Sequence, residues 1–504
     1  MERSKKALKN VTTGFVNKMV IMLLAFMTRT AFIRLLGAEY TGVSSLYTNI
    51  LSVLSLAELG IGNVLMYYLY SALKEGNEEK ISKLINEFKR IYNIIILFIL
   101  SVGIICIPFL KFIINSELNY SSLILYYVLY LINSVASYFV IYRTMVLTAD
   151  QKGYISNICS TLTTIAMYIL QLLYLMLFKN FLGYLLIQVS CTIANNLILN
   201  QITLKKYPYL KKKIKSKTNI VDKKELLKNI KATFFYKLSE TILGQTDSII
   251  ISIMFGTVYV GYYSNYYTII VYIINIASII ANGLVASFGN LNTENNKEKL
   301  YEIFRSTMLM FSIFGALASA CYACVIQDFI TIWIGSQYIM DYSIVIAVLS
   351  MFYCIFSTNT IWLYRSAMGL FKEVQYINLI AAIINIILSV IFGKLIGISG
   401  VIAATAVARL STSFWYEGKV LFNKLQKNVW VYYRQQIKDF IVTVLIVGLS
   451  FTISSFIDLH GIYGIIVKLL ICTAITSLIE FIVNGKTKEF ELLKKKLLAS
   501  IKRG

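Results

Sequence analysis

Long apolar segments follow one another along almost the whole chain, separated by short polar stretches. Each has 20 to 31 residues, and about 20 suffice for a helix to cross the hydrocarbon core of a bilayer. Fourteen such segments lie at residues 12–36, 41–71, 91–114, 121–148, 155–178, 182–204, 232–254, 259–288, 303–326, 343–366, 374–396, 400–421, 438–457 and 462–483. The pattern predicts an all-α polytopic membrane protein with about 14 transmembrane helices.

The sequence also repeats itself at a distance of 219 residues. Within 14 positions, six residues are identical to their counterparts: Gly37, Tyr40, Gly42, Ser45, Tyr47 and Ile50 match Gly256, Tyr259, Gly261, Ser264, Tyr266 and Ile269. Six apolar segments come before the lysine-rich stretch 205–231, and six follow it before a final pair. Because six is even, both halves enter the membrane from the same side. In transporters built from such parallel repeats, substrate sites lie between the halves near the midplane.

The predicted organisation is two pseudo-symmetric six-helix lobes with additions. The parts are an N-lobe with helices 1–6 (1–204), a basic cytoplasmic connector (205–231), a C-lobe with helices 7–12 (232–422), helices 13 and 14 (423–485) and a basic cytoplasmic tail (486–504). In the tail, aliphatic residues recur among lysines as in an amphipathic surface helix. We expect connector and tail to lie on the anionic inner leaflet.

Composition and charge agree with a membrane protein. The 504 residues are 58% hydrophobic and 14% charged, whereas soluble chains carry about 25% charged residues. The net charge of +23 would suggest nucleic acid in a soluble protein, but here topology accounts for it. With both termini cytoplasmic, most basic residues fall in inside loops and tails, and only Lys111, Lys179 and Lys394 fall outside. We therefore expect a multi-pass protein of the cell membrane and no nucleic-acid partner.

Residues for catalysis or metal binding are scarce in this sequence. The seven cysteines lie within apolar segments and are expected to act as small hydrophobic residues. Cys321 and Cys324 form C-x-x-C without a neighbouring histidine, and His460 is the single histidine of the chain. No P-loop, glycine-rich phosphate cradle or metal-spaced carboxylate set occurs. We expect no cofactor, no metal site and no enzymatic activity.

Charged residues within the apolar segments are the candidate functional residues, because charge is expensive in a membrane. The sequence suggests Arg29, Arg409, Lys18, Arg143 and Lys237 as substrate-binding residues of a cationic cavity, and Asp247, Glu58 and Glu240 as acidic residues that couple ions or pair with a base. Lys18 and Arg29 are eleven residues apart, about three helical turns, and so share a face. Arginine binds phosphate oxygens in a bidentate manner, which predicts an anionic headgroup as ligand. The alternative is that these charges pair with one another, for example Arg29 with Glu58 and Lys237 with Glu240.

Five tyrosines open the eighth apolar segment: Tyr259, Tyr262, Tyr263, Tyr266 and Tyr267. Their rings could stack on sugars, or they could form the aromatic belt found at membrane interfaces. The sequence leaves both interpretations open.

Several stretches resemble the polysaccharide transporter family, which includes the Wzx-type O-antigen and capsule flippases. They are the run Leu36-Gly37-Ala38-Glu39-Tyr40-Thr41-Gly42 after Arg29 and Arg34, the run Glu58-Leu59-Gly60-Ile61-Gly62-Asn63, and Asp247-Ser248-Ile249-Ile250 leading into Gly256. That family is grouped with MATE-like multidrug extruders and lipid II flippases in the MOP superfamily. The resemblance implies two six-helix lobes and alternating access around a central cationic cavity.

The same resemblance implies a flippase for undecaprenyl-diphosphate-linked oligosaccharide repeat units, which move from the cytoplasmic to the outer leaflet for capsule, O-antigen or exopolysaccharide assembly. It implies that Arg29, and with less support Lys18, holds the diphosphate, and that Asp247 occupies a recurring acidic position. The implied partners are the lipid-linked oligosaccharide, membrane lipids, a polysaccharide polymerase and glycosyltransferases.

Three other functions remain open. A multidrug or organic-ion extruder would favour an acidic cavity, which the arginines oppose. A repeat-unit polymerase would need catalytic groups on the outer face and usually a sizeable outside loop, whereas the longest here has about 16 residues, around 327–342. A scaffold for synthesis enzymes would tolerate neutral replacement of the arginines.

Overall fold

The computed structural model describes residues 2–55, 61–211, 223–293, 297–370, 372–457, 459 and 461–501. Side chains within these ranges are described except at 2–18, 63–64, 67, 223–237, 279–293, 297, 299 and 496–501. Across the described residues the secondary structure is helical, with short 3₁₀ turns and no strand.

The helices are numbered in chain order. The first nine are α1 (Glu2–Leu36), α2 (Ala38–Leu54), α3 (Ile61–Lys74), α4 (Glu78–Cys106), α5 (Leu110–Ile113), α6 (Tyr120–Ala136), α7 (Ile141–Ala149), α8 (Gly153–Phe178) and α9 (Phe181–Lys206). The others are α10 (Lys223–Phe255), α11 (Thr257–Thr293), α12 (Lys297–Trp333), α13 (Tyr342–Ser357), α14 (Asn359–Ala367), α15 (Gln375–Ile396), α16 (Ile398–Ser411), α17 (Ser413–Leu425), α18 (Val429–Ser455), α19 (Gly461–Asn484) and α20 (Lys488–Ile501).

The predicted all-α polytopic fold is confirmed, but the number of fourteen spans is not. Among the described residues, eleven helical segments are long and apolar enough to cross a bilayer. The predicted span 41–71 consists of two shorter helices, α2 and α3, and residues 56–60 between them lie outside the description. The polar stretch between this span and the next predicted one is largely helical. The reason is that α4 begins at Glu78, where the Asn77 side chain accepts a hydrogen bond from the Lys80 amide.

Three predicted spans are broken in the middle, although none of the breaks contains proline. The breaks lie between α6 and α7, between α13 and α14, and between α16 and α17. At each, a hydroxyl group bonds back to a carbonyl of the preceding turn: Ser137 Oγ to Ser134 O at 2.6 Å, Thr358 Oγ1 to Cys354 O at 3.1 Å and Thr412 Oγ1 to Ala408 O at 2.5 Å. Such bonds compete with the helical ladder and bend the helix.

The chain divides into two compact units. The first contains Met1–Thr241 and Phe255–Gly261, and the second contains Ile242–Met254 and Tyr262–Gly504. The division falls within α10 and the start of α11, whereas the sequence places its lobe boundaries at the connector. The lobes defined by the repeat therefore stay a prediction.

The repeat is visible in the backbone at matched glycines. Gly37 links α1 to α2 with φ 90°, and Gly256 links α10 to α11 with φ 108°. Both angles belong to the region that glycine adopts readily and other residues avoid. The identity of these positions in the two halves therefore has a conformational reason.

A second matched pair forms a close helix crossing within the first unit. A Cβ atom added to Gly42 would lie 2.0 Å from the Thr257 carbonyl oxygen, and one added to Gly261 would lie 2.0 Å from the Ala38 carbonyl oxygen. Thr257 and Gly261 are the counterparts of Ala38 and Gly42 at the 219-residue distance, so the contact is reciprocal. Small residues four positions apart allow two helix backbones to approach closely.

In the second unit, the last two apolar helices pack on α12. A buried cluster joins the three helices: Ala316, Ala320, Cys324, Val325, Val442, Ile446 and Cys472. The terminal helix α20 also contacts α12, where Arg305 Nε lies 2.9 Å from Glu489 Oε1. The predicted tail helix is therefore present, and its place on a membrane surface stays a prediction.

Candidate functional site

Arg29 lies on α1 of the first unit in surroundings rich in hydroxyl groups. It is half-buried, and its charge acts on the hydroxyls of Tyr130 on α6 and Tyr184 on α9. Tyr130 is also hydrogen-bonded to Ser44 of α2, with 2.6 Å between the two oxygens. Aromatic packing beside Arg29 fixes α1. The Phe32 ring meets the rings of Phe181 and Tyr184 edge-on, with 5.4 and 5.0 Å between the ring centres. A guanidinium with tyrosine hydroxyls near it suits a ligand that carries both negative charge and hydroxyl groups.

Arg143 has a different environment in the same unit. Its guanidinium donates to the Asn200 side chain on α9 and lies 5.5 Å from the centre of the Tyr142 ring. Asn200 continues a row of polar contacts along α9, in which Asn196 bonds to the Ala136 carbonyl and Thr192 to Asn133. Among the described contacts, none joins Arg143 to Arg29. Arg143 therefore ties α7 to α9, and its predicted role in substrate binding stays a prediction.

Asp247 is the centre of a buried polar cluster in the second unit. Its carboxylate, on α10, is 3% exposed. Thr405 Oγ1 of α16 donates to it, lying 3.1 Å from Oδ1 and 2.9 Å from Oδ2. Asn385 Nδ2 of α15 donates in turn to Thr405 Oγ1 at 2.8 Å, and Thr246 Oγ1 of α10 donates to Asn385 Oδ1 at 3.0 Å. A continuous chain of hydrogen bonds thus links three helices around one carboxylate.

The cluster extends along α15 and α16. Ser389 Oγ lies 3.4 Å from Asn385 Nδ2 and donates to the Val401 carbonyl at 3.4 Å. Arg409, one helical turn beyond Thr405, interacts electrostatically with Asp247 and with the hydroxyl of Tyr267. Seven oxygen atoms of α10, α15 and α16 therefore belong to the cluster, and the carboxylate of Asp247 is its acidic group.

Such an oxygen set is suited to a monovalent cation or a proton rather than to a multivalent metal. Within the described ranges, no group of three or more His, Cys, Asp or Glu residues is placed to hold a metal ion. Hard divalent cations generally require several carboxylates or a retained water shell. The single carboxylate of Asp247, with hydroxyl, amide and carbonyl oxygens beside it, meets the weaker demand of a monovalent charge.

The remaining predicted site residues cannot be assessed in the same way. Glu58 lies outside the described residues, as do the side chains of Lys18 and Lys237. The proposed pairs Arg29–Glu58 and Lys237–Glu240 therefore stay predictions. Glu240 itself is half-buried on α10.

The tyrosine cluster of α11 divides into buried and exposed members. Tyr266 is buried, donates to Gln327 Oε1 at 2.8 Å and accepts from the Met340 amide at 3.0 Å. Tyr263 is buried as well, whereas Tyr259 is 43% exposed. Tyr266 therefore fixes the end of α12 and the following loop, and both interpretations of the cluster, sugar stacking and an aromatic belt, stay predictions.

A comparison with protein families gives a match over residues 7–288 to the family described as polysaccharide biosynthesis protein. The match covers more than half of the chain. The chain belongs to this family. The predicted relationship to polysaccharide transporters is thereby confirmed. A comparison with curated protein sequences gives no match.

Solved structures with the same fold come from flippases and transporters. The lipid II flippase MurJ in an inward closed conformation superposes with a TM-score of 0.69 at 16% identity, over 93% of this chain and 98% of that chain. A MATE family multidrug resistance transporter of the MOP superfamily superposes with a TM-score of 0.59 in its inward-facing conformation, at 13% identity over 82% of this chain and 98% of that chain. For an outward-facing MATE conformation the TM-score is 0.53, at 14% identity over 82% and 95%. This polysaccharide biosynthesis protein is thus a multi-pass membrane protein with the MurJ and MATE fold.

One buried ion pair of the polysaccharide biosynthesis protein was not predicted from the sequence. Arg365 Nε lies 3.3 Å from Glu417 Oε2, and the Arg365 side chain has 0% exposure. Asn378 Nδ2 donates to Glu417 Oε1 at 3.0 Å, and Arg365 Nη1 donates to the Leu370 carbonyl at 3.1 Å. The pair locks α14, α15 and α17 together. The arginine was visible as a charge ending a span, but nothing in the spacing identified a partner 52 positions away.

The second unit also carries an apolar cavity of about 290 Å³. Its walls come from α11, α12 and α19, with Ile269, Ile273, Phe314, Leu317 and Leu469 among the lining residues. Almost all of the lining is hydrocarbon or aromatic ring. The cavity is suited to an aliphatic chain and offers little to a polar ligand.

Proposed function

We propose that this protein is a flippase that moves undecaprenyl-diphosphate-linked oligosaccharide repeat units from the cytoplasmic to the outer leaflet, for capsule, O-antigen or exopolysaccharide assembly. Family membership supports a role in polysaccharide biosynthesis, and the fold supports transport across the membrane. The observation that carries the proposal is the placement of Arg29 among the hydroxyls of Tyr130, Tyr184 and Ser44 within the membrane. A charge in the membrane is normally retained for a function.

The substrate has three chemical parts, and the protein offers a matching feature for each. The diphosphate would bind the guanidinium of Arg29, whose planar fork matches phosphate oxygens. The sugar hydroxyls next to it would exchange hydrogen bonds with Tyr130, Tyr184 and Ser44. For the polyprenyl chain, the matching feature is the apolar cavity between α11, α12 and α19 within the second unit, whose lining suits an aliphatic chain. The direction of movement follows from where the units are made, and the termini are proposed to be cytoplasmic in the cell (inner) membrane.

We infer that the Asp247 cluster couples this movement to an ion gradient. Arg409 is the charge that faces Asp247. A proton or monovalent cation bound at the carboxylate would replace Arg409 as its counter-charge, so that ion binding changes the charge pairing within the second unit. The hydrogen bonds from Thr405 and Asn385 hold the carboxylate in place through both states.

A multidrug extruder is the second candidate, and the shared MATE fold favours it. Organic cations would require an accessible acidic residue, whereas Asp247 is 3% exposed and hydrogen-bonded to Thr405. Polymerase activity is the weaker alternative, because the family and the fold are those of flippases and transporters. We propose that the protein is not an enzyme.

The test is the sidedness of lipid-linked repeat units in cells that lack this protein. Complete units should accumulate on the cytoplasmic side, where an external sugar-modifying probe cannot reach them. Wild-type protein should restore export, Arg29→Ala should not, and Arg29→Lys should restore only part, because lysine keeps the charge and loses the fork. Arg434→Ala, at an exposed position of α18, is the matched control.

Each other outcome identifies a different function. Complete units accumulating on the outer side would indicate a polymerase. Absence of any accumulation would remove lipid-linked sugars as substrates and favour the extruder. Full activity of Arg29→Ala at normal protein levels would refute the role given to this arginine.

A further inference from the structure

We propose that α12, α13 and α18 form a second site for a monovalent cation, centred on Asp439 and separate from Asp247. Asp439 lies on α18 and is 6% exposed. Glu480, on α19, is 3% exposed and interacts electrostatically with Asp439. The proposal does not depend on the substrate of the protein.

The first argument is that Asp439 lines a small cavity. The cavity is about 20 Å³, which is sufficient for one water-sized particle, since about 10–15 Å³ is needed. Its polar lining comes from three helices: Ser312 and Ser319 on α12, Tyr353 and Ser357 on α13, and Gln436, Asp439 and Thr443 on α18. An aliphatic side chain or an anion would not fit this space, whereas a small cation would.

The second argument is that two polar atoms of the lining have no hydrogen-bond partner among the described residues. They are Ser319 Oγ and Gln436 Oε1. Both side chains are deeply buried, with exposures of 3% and 2%. Buried polar groups are almost always hydrogen-bonded, so an unpartnered pair facing one cavity indicates a bound particle. Both atoms are oxygens with free lone pairs, as a cation requires.

The third argument is the charge of the cluster. It contains two buried carboxylates, Asp439 and Glu480, and one half-buried ammonium, Lys438. Lys438 Nζ donates to Asn484 Oδ1 at 2.7 Å, and Asn484 Nδ2 donates to Glu480 Oε2 at 2.6 Å. The nearby Arg305 is already paired with Glu489. One negative charge is therefore left over in a buried place, where an uncompensated charge is very unfavourable. A single bound monovalent cation, either Na⁺ or a proton, neutralises it.

The fourth argument is access. A second cavity of about 90 Å³ is lined by Arg305, Met308, Gln435, Lys438 and Glu489, among others. Met308 lines both cavities. Gln435 lines the larger one and donates to Asp439 Oδ1 at 2.8 Å. The larger cavity therefore adjoins the smaller one at Met308, and Gln435 links its lining to Asp439.

The experiment measures how Na⁺ and pH change the thermal unfolding midpoint of the purified full-length protein, followed by tryptophan fluorescence in micelles. All proteins carry Asp247→Asn so that the cluster at Asp247 contributes no bound cation, and the parent without it is measured in parallel. Na⁺ replaces choline at constant ionic strength. A cation that binds only the folded state stabilises it in a saturable way.

If Na⁺ is the occupant, the midpoint rises with Na⁺ and saturates, Ser319→Ala raises the half-saturating concentration several-fold, and Asp439→Asn abolishes the response. If a proton is the occupant, Na⁺ does not change the midpoint. A plot of the midpoint against pH then loses one titration step in Asp439→Asn. In Ser319→Ala the same step moves to a different pH. Ser450→Ala, which removes a buried hydroxyl of α18 that does not line the cavity, should leave either response unchanged.

Two results would overturn the proposal. One is a set of Na⁺ and pH responses that are the same in Asp439→Asn, Ser319→Ala and their Asp439-containing parent. The other is a Na⁺ response that is present in the wild type and disappears entirely on Asp247→Asn, with no pH step assigned to Asp439. Because Ser319→Ala removes one atom, it keeps the test valid if Asp439→Asn does not fold. If the cation response is intact but the protein does not move lipid-linked repeat units, only the proposed substrate is refuted and the cation site stands.

Discussion

The reciprocal glycine crossing allows a quantitative prediction for Gly42→Ala and Gly261→Ala. Each new methyl carbon would lie 2.0 Å from a backbone carbonyl oxygen, whereas ordinary contacts begin at 3.4 Å. The crossing must therefore open by up to 1.4 Å, the difference between these two distances. A backbone carbonyl cannot rotate away as a flexible side chain does. Overpacking of this kind typically costs about 1–3 kcal/mol, which corresponds to roughly a 5- to 150-fold loss in the population of the closed crossing.

The assay is disulfide cross-linking of Ala38→Cys with Thr257→Cys, which lie on the two sides of the crossing. Cross-linking rate should fall at least about fivefold in either alanine variant. The free-energy cost in the double variant should be smaller than the sum of the costs in the two single variants, because both methyl groups open the same contact. Gly448→Ala is the matched control, since a Cβ atom there meets nothing within 4 Å. Unchanged cross-linking in Gly42→Ala and Gly261→Ala would refute the close approach of α2 and α11.

Three further predictions follow from other contacts. Glu417→Ala should lower the free energy of unfolding by about 3–5 kcal/mol, because Arg365 loses its counter-charge in a buried place. The double variant Arg365→Met with Glu417→Leu should lower it much less. Thermal or denaturant unfolding measures both. At Asp150, burial opposes ionisation, but hydrogen bonds from Lys152 and Tyr207 outweigh it and lower the pKa below the ordinary 3.8. Its contribution to stability is therefore present above pH 3.8 and is lost as the pH falls through the lowered value, so the stability difference between wild type and Asp150→Asn should vanish in acid. Finally, the Cys472 thiol is within hydrogen-bonding reach of Cys321 and Cys324. Mild oxidation should therefore form a disulfide that joins α12 to α19. Cys472→Ser should prevent this cross-link, whereas Cys354→Ser should leave it unchanged.

The features that were predicted from the sequence are those encoded locally or by repetition. Hydropathy identifies apolar helices because each helix satisfies its own backbone hydrogen bonds within the bilayer. The repeat at 219 residues matched Gly37 with Gly256, and both glycines have positive φ angles in the structure. The breaks at Thr358 and Thr412 could not be predicted, because hydroxyl groups bond back to the helix at many positions without breaking it. Thr268, for example, bonds to the Ser264 carbonyl within an unbroken α11.

The partners of buried charges were the main element that the sequence could not supply. Asp247 was selected as a charge within a span, but Thr405, 158 residues away, is one of many neutral hydroxyl residues in apolar helices. Asp439 and Glu480 lie near the ends of predicted spans, where a carboxylate normally reaches water and needs no partner. In the folded protein both are buried against α12 and each other. The depth of a charge in the membrane can thus be estimated from its position in a span, whereas its counter-charge depends on which helices pack together.

The two acidic centres of the second unit differ in their counter-charges: Asp247 faces Arg409, while the buried carboxylates around Asp439 exceed their cations by one. Only the second arrangement requires a charge from solution to become neutral, and for this reason the response to Na⁺ and pH should depend on Asp439 even where Asp247 has been replaced.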